Sequence, residues 1–270
     1  MFDMTIDAVL VFFRELKIRN EYLFYLGIFC FIFSIACIIF TQTTTTKVHE
    51  INAWYKPFKF TVSIGMYSWT MAWLCHYLHN FNVILFSWAV ILLLGFELIY
   101  IAFQASRGEL SHFNFNAPIY TVMYSLMGIA AVLITIYTAY IGFLFFTQSF
   151  PNLPPYYLWA IRMGIIIFVI FSFEGALMSS RASHSVGAIN DNSNLLIVGW
   201  SKTVGDLRVA HFIGMHALQI LPLLSFYILK NTKTTMILAV LYGLLATSTL
   251  VQALNGKPVI TQEGQQKNIE

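Results

Sequence analysis

Seven long apolar stretches constrain the fold of this 270-residue chain more than any motif does. A helix that crosses the hydrocarbon core of a bilayer needs about 20 mostly apolar residues. The stretches that meet this need are Tyr22–Phe40, Phe58–Tyr77, Val83–Phe103, Ile119–Phe146, Leu158–Ser179, Leu207–Leu229 and Thr235–Leu254. The sequence therefore predicts an all-α polytopic membrane protein with seven transmembrane helices.

The composition agrees with this class and excludes others. The chain is 58% hydrophobic and only 10% charged, whereas an ordinary soluble domain is about 25% charged. Its net charge of +3 is spread out, and the absence of a basic run gives no indication of nucleic-acid binding. Cys30, Cys37 and Cys75 all lie inside spans, without the spacing of a metal site.

The two ends of the chain differ from the membrane domain, which we place at residues 21–255. Residues 1–20 predict an amphipathic helix lying in the membrane interface. Its apolar side chains recur at helical spacing (Phe2, Ile6, Val9, Leu10, Phe13 and Leu16) opposite the charges of Asp3, Asp7, Arg14 and Lys17. Residues 256–270 are polar, which is typical of a disordered tail.

Most of the polar, motif-like residues lie in the first, third and fifth connections between the spans. The segments concerned are Asn52–Phe60, Gln104–Asn114 and Gly205–His211. Because odd-numbered connections always emerge on the same side of the membrane, we expect these segments to share one side, here called the motif face. A functional site is predicted there.

The distribution of basic residues bears on which side the motif face occupies. Nine Lys and Arg residues belong to the motif face and six to the opposite face. This excess favours a cytoplasmic motif face. The basic cluster of Arg14, Lys17 and Arg19 near the N-terminus argues for the reverse orientation.

Two acidic residues lie inside the predicted spans, where a charge costs about 2.5–3.5 kcal/mol on insertion scales. Glu97 precedes Gln104 by seven residues, and Glu174 precedes Arg181 by the same number. Each carboxylate is therefore expected roughly 10 Å below the motif face. We predict Glu97 and Glu174 as an acid and a base; the alternative is that each is a structural carboxylate bonded to a neighbouring helix.

The sixth span carries a polar stripe that begins at the same face. Arg208, His211 and Gln219 share one side of a helix, whereas His216 is rotated about 140° from His211. One straight helix cannot easily direct both imidazoles at one metal ion, so a two-histidine metal site is not favoured. His211 is a candidate proton partner, and the alternative is a hydrogen bond to another helix.

The connections supply the remaining candidates, together with the helix ends beside them. As catalytic residues we predict His112 with Glu97, Glu174 and His211; as substrate-binding residues we predict Lys56, Gln104, Arg107, Asn114, Arg181, His184, Asp206, Arg208 and Gln219. Asn190 and Asp191 belong to the same fifth connection. The alternative is a solvated loop in which Ser111 and Asp206 cap the following helices.

These motifs resemble those of a family of bacterial multi-pass membrane proteins. The shared patterns are WxKPxKFxxS from Trp54, QAxRGxxSHFN from Gln104, and GWSxTxGDLRVxHFxGxHALQxLP from Gly199. The resemblance implies a protein of the bacterial cytoplasmic membrane. It implies no substrate, cofactor or catalytic residue.

Three functions remain open, beside a structural or assembly role. The first is a Glu/His/Arg pocket at the motif face that binds, and as an enzyme would transform, the polar end of an amphiphilic or anionic small molecule. The second is a proton-coupled transporter, in which intramembrane Glu and His residues act as relays. The third is a redox protein that uses haem or a quinone, although histidines at matching depths on facing helices are not evident. No metal or other cofactor is assigned by a motif.

Overall fold

The computed structural model describes residues 6–48, 50–187, 194–195 and 197–261. Most of the described chain is helical, which confirms the all-α prediction. The helices are α1 (Ile6–Arg19), α2 (Glu21–Thr43), α3 (Tyr55–Cys75), α4 (Val83–Ser106), α5 (Pro118–Thr147), α6 (Pro155–Ser172), α7 (Glu174–Ser180), α8 (Leu207–Leu224) and α9 (Thr232–Leu254). A π-helical turn, Ser225–Leu229, continues α8.

Six helical segments are long and apolar enough to cross a membrane. They are α2, α4, α5, α6 with α7 (Pro155–Ser180), α8 with its π-helical turn (Leu207–Leu229), and α9. These segments correspond to six of the seven predicted spans, as expected for a multi-pass membrane protein. The remaining predicted span, Phe58–Tyr77, corresponds to α3, which is helical but does not belong to the six.

The lower apolar content of α3 is explained by its position among other helices. Thr61 and Ser68 are fully buried, and each hydroxyl donates a hydrogen bond to a carbonyl one turn earlier, at 3.0 Å to Pro57 and 2.7 Å to Ile64. Tyr67 bonds the hydroxyl of Thr138 in α5 at 2.7 Å and stacks on Phe168 in α6. A helix covered by its neighbours does not need a continuous apolar surface.

Helix α1 precedes the first span and packs against it and α3. Leu16 is fully buried, and the rings of Phe12 and Phe13 contact Trp69. Leu10 and Val11 remain exposed on the other side of the helix. Residues 1–5, Asn190, Asp191 and residues 262–270 lie outside the described residues, as do the corresponding parts of the interfacial-helix and tail predictions.

Several helix starts follow from local sequence. The side chains of Asn20, Asn82, Asp206 and Asn231 accept hydrogen bonds from the first backbone amides of α2, α4, α8 and α9. The predicted cap at Asp206 is therefore confirmed, since capping oxygens satisfy amides that have no partner inside the helix. Ser111 caps no helix, because α5 begins seven residues later at Pro118.

Two short antiparallel strand pairs fold the first and fifth connections. In the first connection, β1 (Lys47–Val48) pairs with β2 (Ile51–Asn52). In the fifth, β3 (Ser185–Val186) pairs with β4 (Gly205–Asp206). The second pair closes the long fifth connection and places its two ends side by side above α8.

The predicted continuous span Leu158–Ser179 is interrupted at Phe173, where α6 ends and α7 begins. The interruption lies beside α8, which packs closely against α6. A Cβ atom on Gly214 of α8 would lie only 2.1 Å from Cγ of Phe171. The absence of a side chain at Gly214 is therefore required for this approach.

Replacing Gly214 with alanine should destabilise the protein by about 1–3 kcal/mol, because overpacking forces neighbouring atoms to shift. Gly128→Ala is the matched control, since no atom lies within 4 Å of the added Cβ at that position in α5. Thermal unfolding of both variants in detergent tests this expectation. Equal melting temperatures for the two variants would contradict it.

Candidate functional site

The three polar connections lie together at one end of the helices, as the parity of the connections predicts. Lys56 at the start of α3 contacts His112 of the third connection, with 3.0 Å between Nζ and Nδ1. Lys59, one turn further on, donates to the carbonyl of Val198 in the fifth connection at 2.8 Å. The N-terminus of α3 therefore joins the other two connections.

Asp206 organises the fifth connection. One carboxylate oxygen accepts hydrogen bonds from the amide of Ser201 at 2.9 Å and from Nη2 of Arg208 at 2.6 Å. The other accepts from the amide and Nε of Arg208 at 3.1 and 2.9 Å. Arg208 Nη2 also donates to the carbonyl of Gly199. A single buried carboxylate thus fixes the loop from Gly199 to the first turn of α8.

His184 lies beside this ion pair because of the β3–β4 pairing. The amide of Leu207 donates to the His184 carbonyl at 2.9 Å, and Nδ1 of His184 lies 3.9 Å from Oδ1 of Asp206. The hydroxyl of Ser185 lies 3.1 Å from the same nitrogen. His184, Asp206 and Arg208, all predicted from sequence, are therefore in one cluster.

Three basic side chains, Lys56, Lys59 and Arg208, form what we call the cationic rim; burial and the neighbouring positive charges lower the pKa of Lys56 to about 7. Within the described chain, only Arg208 of these three has a carboxylate within 4 Å. Each ammonium group carries three N–H donors, and one acceptor is identified for each lysine. The rim therefore has more donors than acceptors.

Gly199 separates two groups of this rim. It has a φ of +68°, and a Cβ atom built on it would lie 3.6 Å from Nζ of Lys59 and 3.8 Å from Nη1 of Arg208. A side chain at this residue would contact both cationic groups.

Burial and the neighbouring positive charges shift the pKa values of the titratable groups in the connections. Burial, followed by the positive charge of Arg208, lowers the pKa of His184 to about 4, although Asp206 acts in the opposite direction. Burial and the charge of Lys56 hold the pKa of His112 well below its usual value. Burial alone would raise the pKa of Asp206, but the hydrogen bonds and charge of Arg208 lower it overall. Both histidines are therefore neutral at pH 7, and Asp206 is ionised.

The two intramembrane acids are buried as predicted. Glu97 is 7% exposed and Glu174 is 6% exposed. Oε1 of Glu97 and both carboxylate oxygens of Glu174 have no hydrogen-bond partner among the described residues. The hydroxyl of Ser172, two residues before Glu174, is also buried without a partner. These buried oxygen atoms therefore lack the hydrogen bonds that buried polar groups usually make.

The histidines of α8 have separate partners. Nδ1 of His211 donates to the carbonyl of Phe171 in α6 at 2.7 Å, which is the helix-to-helix bond considered as its alternative role. His216 faces Gln219, with 3.4 Å between Nδ1 and Oε1. Gln219 is thereby paired within its own helix rather than with the connections.

Four other predicted residues make no identified hydrogen bond or ion pair with His184, Asp206 or Arg208 among the described residues. The side-chain amides of Gln104 and Asn114 both donate to the carbonyl of Leu110 at 3.1 Å, which fixes the third connection. Arg107 is exposed and contacts the Tyr120 hydroxyl at 3.4 Å. Arg181 is exposed at the end of α7.

Sequence reasoning missed three members of the region: Lys59, Gly199 and Ser172. Lys59 lies three residues after Lys56, which is a helical neighbour spacing that could have identified it. Gly199 begins the third shared motif but was assigned no role, and Ser172 carries no distinguishing local signal. Their roles depend on contacts with residues far away in the sequence.

No metal site emerges from the described ranges: they contain no group of three or more His, Cys, Asp and Glu side chains that could hold an ion. A surface cleft of about 500 Å³ lies at the opposite face, between Thr147 and Arg162. The residues that line this cleft include no acid and no histidine. We take the cluster at the motif face as the candidate site because its charged and titratable side chains contact one another across three connections.

Comparison with protein-family models, curated proteins and solved structures found no match to this chain.

The lowered pKa of His184 predicts an acid-sensitive fold. Between about pH 6.5, the ordinary pKa of histidine, and about pH 4, its pKa in the folded protein, the unfolded chain binds a proton that the folded chain does not. The free energy of unfolding should therefore decrease as pH falls through this range. His184→Asn should make this decrease in the free energy of unfolding smaller. The decrease that remains would come from His112, whose pKa is also lowered.

Thermal unfolding measured across this pH range tests the prediction. His79→Asn is the control, because His79 is exposed at the opposite face. Equal pH dependence in the wild type, His184→Asn and His79→Asn would contradict the assignment.

Proposed function

We propose that the motif face binds an anionic group, a phosphate or carboxylate, carried by a small molecule or by the polar end of an amphiphile. The observation that supports this most is the position of Lys59 Nζ and Arg208 Nη1 beside the side-chain-free Gly199. An anion in this space would accept hydrogen bonds from both cations. Hydrogen bonds in which both partners are charged are the strongest kind available to such a site.

Electrostatic balance supports an anion rather than a cation as the ligand. Asp206 is already engaged by Arg208 and by the Ser201 amide. Lys56 and Lys59 lie within 4 Å of no carboxylate in the described part of the chain. A partly buried group of like charges is costly unless an opposite charge accompanies it. A bound anion would supply that charge.

The location of the rim supports an amphiphile as the carrier. Lys56 and Lys59 lie in the first two turns of α3, and Arg208 lies in the first turn of α8. These helix ends would be near the headgroup region if the helices cross the bilayer, so a bound headgroup could keep its tail in lipid. The proposal includes α3 as a seventh span, α1 at the interface, and a bacterial cytoplasmic membrane with the motif face toward the cytoplasm.

Ligand-induced stabilisation of the purified protein in neutral detergent tests anion binding. The probes are inorganic phosphate, short-chain phosphatidylglycerol, and short-chain phosphatidylcholine as the zwitterionic comparison. A ligand that binds only the folded state raises the melting temperature according to its concentration and Kd. We expect phosphatidylglycerol to raise it more than phosphatidylcholine does. Stabilisation by phosphate alone would indicate a free anion instead of a headgroup.

Lys59→Gln should weaken this binding at least about tenfold, because a hydrogen bond to a charged group contributes about 1.5–3 kcal/mol. Lys233→Gln is the matched control, since Lys233 lies in the first turn of α9 at the opposite face. The same loss in both variants, or in neither, would contradict an anion site at the rim.

Cysteine labelling of intact cells tests the spans and the orientation. Glu50→Cys and Arg107→Cys place exposed thiols in the first and third connections, and His79→Cys and Lys230→Cys place them in the second and sixth. If α3 spans the membrane, the first pair should react with an impermeant maleimide from one side and the second pair from the other. With a cytoplasmic motif face, only the second pair reacts before lysis. Labelling of positions 50 and 79 from one side would contradict a transmembrane α3.

A further inference from the structure

The interruption of the fifth span coincides with a contact with α8. His211 donates to the Phe171 carbonyl at 2.7 Å, and in a continuous helix that carbonyl would accept from the amide of Gly175. A side chain that inserts into the hydrogen-bond ladder breaks the helix locally. Glu174 is the first residue after this break.

The polar atoms at the break are not satisfied by the protein. Ser172 Oγ and both carboxylate oxygens of Glu174 are buried without a hydrogen-bond partner among the described residues. Burying an ionised carboxylate without a partner is so costly that such a group neutralises instead. The uncharged acid, which has one proton on a carboxylate oxygen, avoids most of this cost.

Few charged groups face Glu174 from the elements packed around it. From α8, Asp206 exerts its negative charge on Glu174, and the ring of His211 lies beside Gly175, with Cε1 3.7 Å from a Cβ built there. From α5, the Tyr124 hydroxyl donates to Ser179, further along α7. No cation of the described chain lies within ion-pairing distance of Glu174. These surroundings favour the protonated form.

From this arrangement we infer that Glu174 is a proton-binding site coupled to the anion site, so that its proton and the bound anion stabilise each other. The inference rests on the proposed function. An anion at the rim adds negative charge close to Asp206, and this charge opposes ionisation of Glu174. By thermodynamic reciprocity, protonation of Glu174 strengthens anion binding by the same factor. In this step the carboxylate takes up one proton and becomes a neutral acid.

Infrared spectroscopy of the purified protein tests whether Glu174 carries a proton. A carbonyl-stretch band of a protonated carboxylic acid should be present at neutral pH and should decrease in Glu174→Gln. Glu21→Gln, an exposed acid in the first turn of α2, should leave the band unchanged. An unchanged band in Glu174→Gln would overturn the inference.

The buried acids of the described chain are Glu97, Glu174 and Asp206, and Asp206 is paired with Arg208. If Glu174→Gln does not fold, the Glu97→Gln variant therefore isolates the signal of Glu174. A protonated-acid band that persists in Glu97→Gln supports the inference. Its complete loss would overturn it.

The coupling is tested by the pH dependence of phosphatidylglycerol binding. As pH rises from about 6 to about 9, the wild type should lose about fivefold more affinity than Glu174→Gln, within the usual range of coupling between sites. Titration of Lys56, Lys59, His112 and His184 affects both proteins, so the difference isolates Glu174. Parallel pH profiles would overturn the coupling while leaving anion binding intact.

If neither phosphatidylglycerol nor phosphate binds any variant, the proposed function fails, and the infrared band still decides whether Glu174 is protonated.

Discussion

The ion pair between Asp206 and Arg208 is the interaction on which the arrangement at the motif face depends. Asp206 caps α8, holds the amide of Ser201 and fixes the guanidinium group, which in turn binds the Gly199 carbonyl. Because this carboxylate is buried, its charge must be compensated by directed donors. The loop that supplies those donors consequently takes one shape. That shape brings Gly199 to Lys59 and joins the fifth connection to α3.

A second constraint acts inside the helices, where polar groups without water must find partners in the protein. The hydroxyls of α3 satisfy it locally by bonding carbonyls of their own helix. His211 satisfies it across helices by bonding the Phe171 carbonyl, close to where α6 ends. Both carboxylate oxygens of Glu174, the first residue of α7, have no hydrogen-bond partner among the described residues. The same requirement is thus met locally in α3, met between helices by His211, and left unmet at Glu174.

Much of the fold was predictable from hydropathy alone, and much of the site was not. Six of the seven predicted spans, the shared face of the connections and the burial of Glu97 and Glu174 follow from segment length, parity and the rise of a helix. The contact between Lys59 and Val198 joins residues 139 positions apart, so no local pattern could identify it. The break at Phe173 has no sequence signal of its own, and His211, which bonds the Phe171 carbonyl beside it, belongs to another helix. Gln219 was assigned to the site by helical periodicity, which gives the side of a helix but not its partner; that partner is His216.

The arrangement of donors and acceptors has a consequence for how a ligand would be held. The cationic rim is rich in N–H donors, whereas the break beneath it presents the oxygens of Ser172 and Glu174, which lack partners. An anion would satisfy the rim but would be repelled by an ionised Glu174. A proton on Glu174 removes the repulsion and converts one acceptor into a donor. Under the proposed function, the rim and the break would therefore hold one bound anion more tightly when the acid is neutral, and the protonation state of Glu174 would take part in the recognition of the ligand.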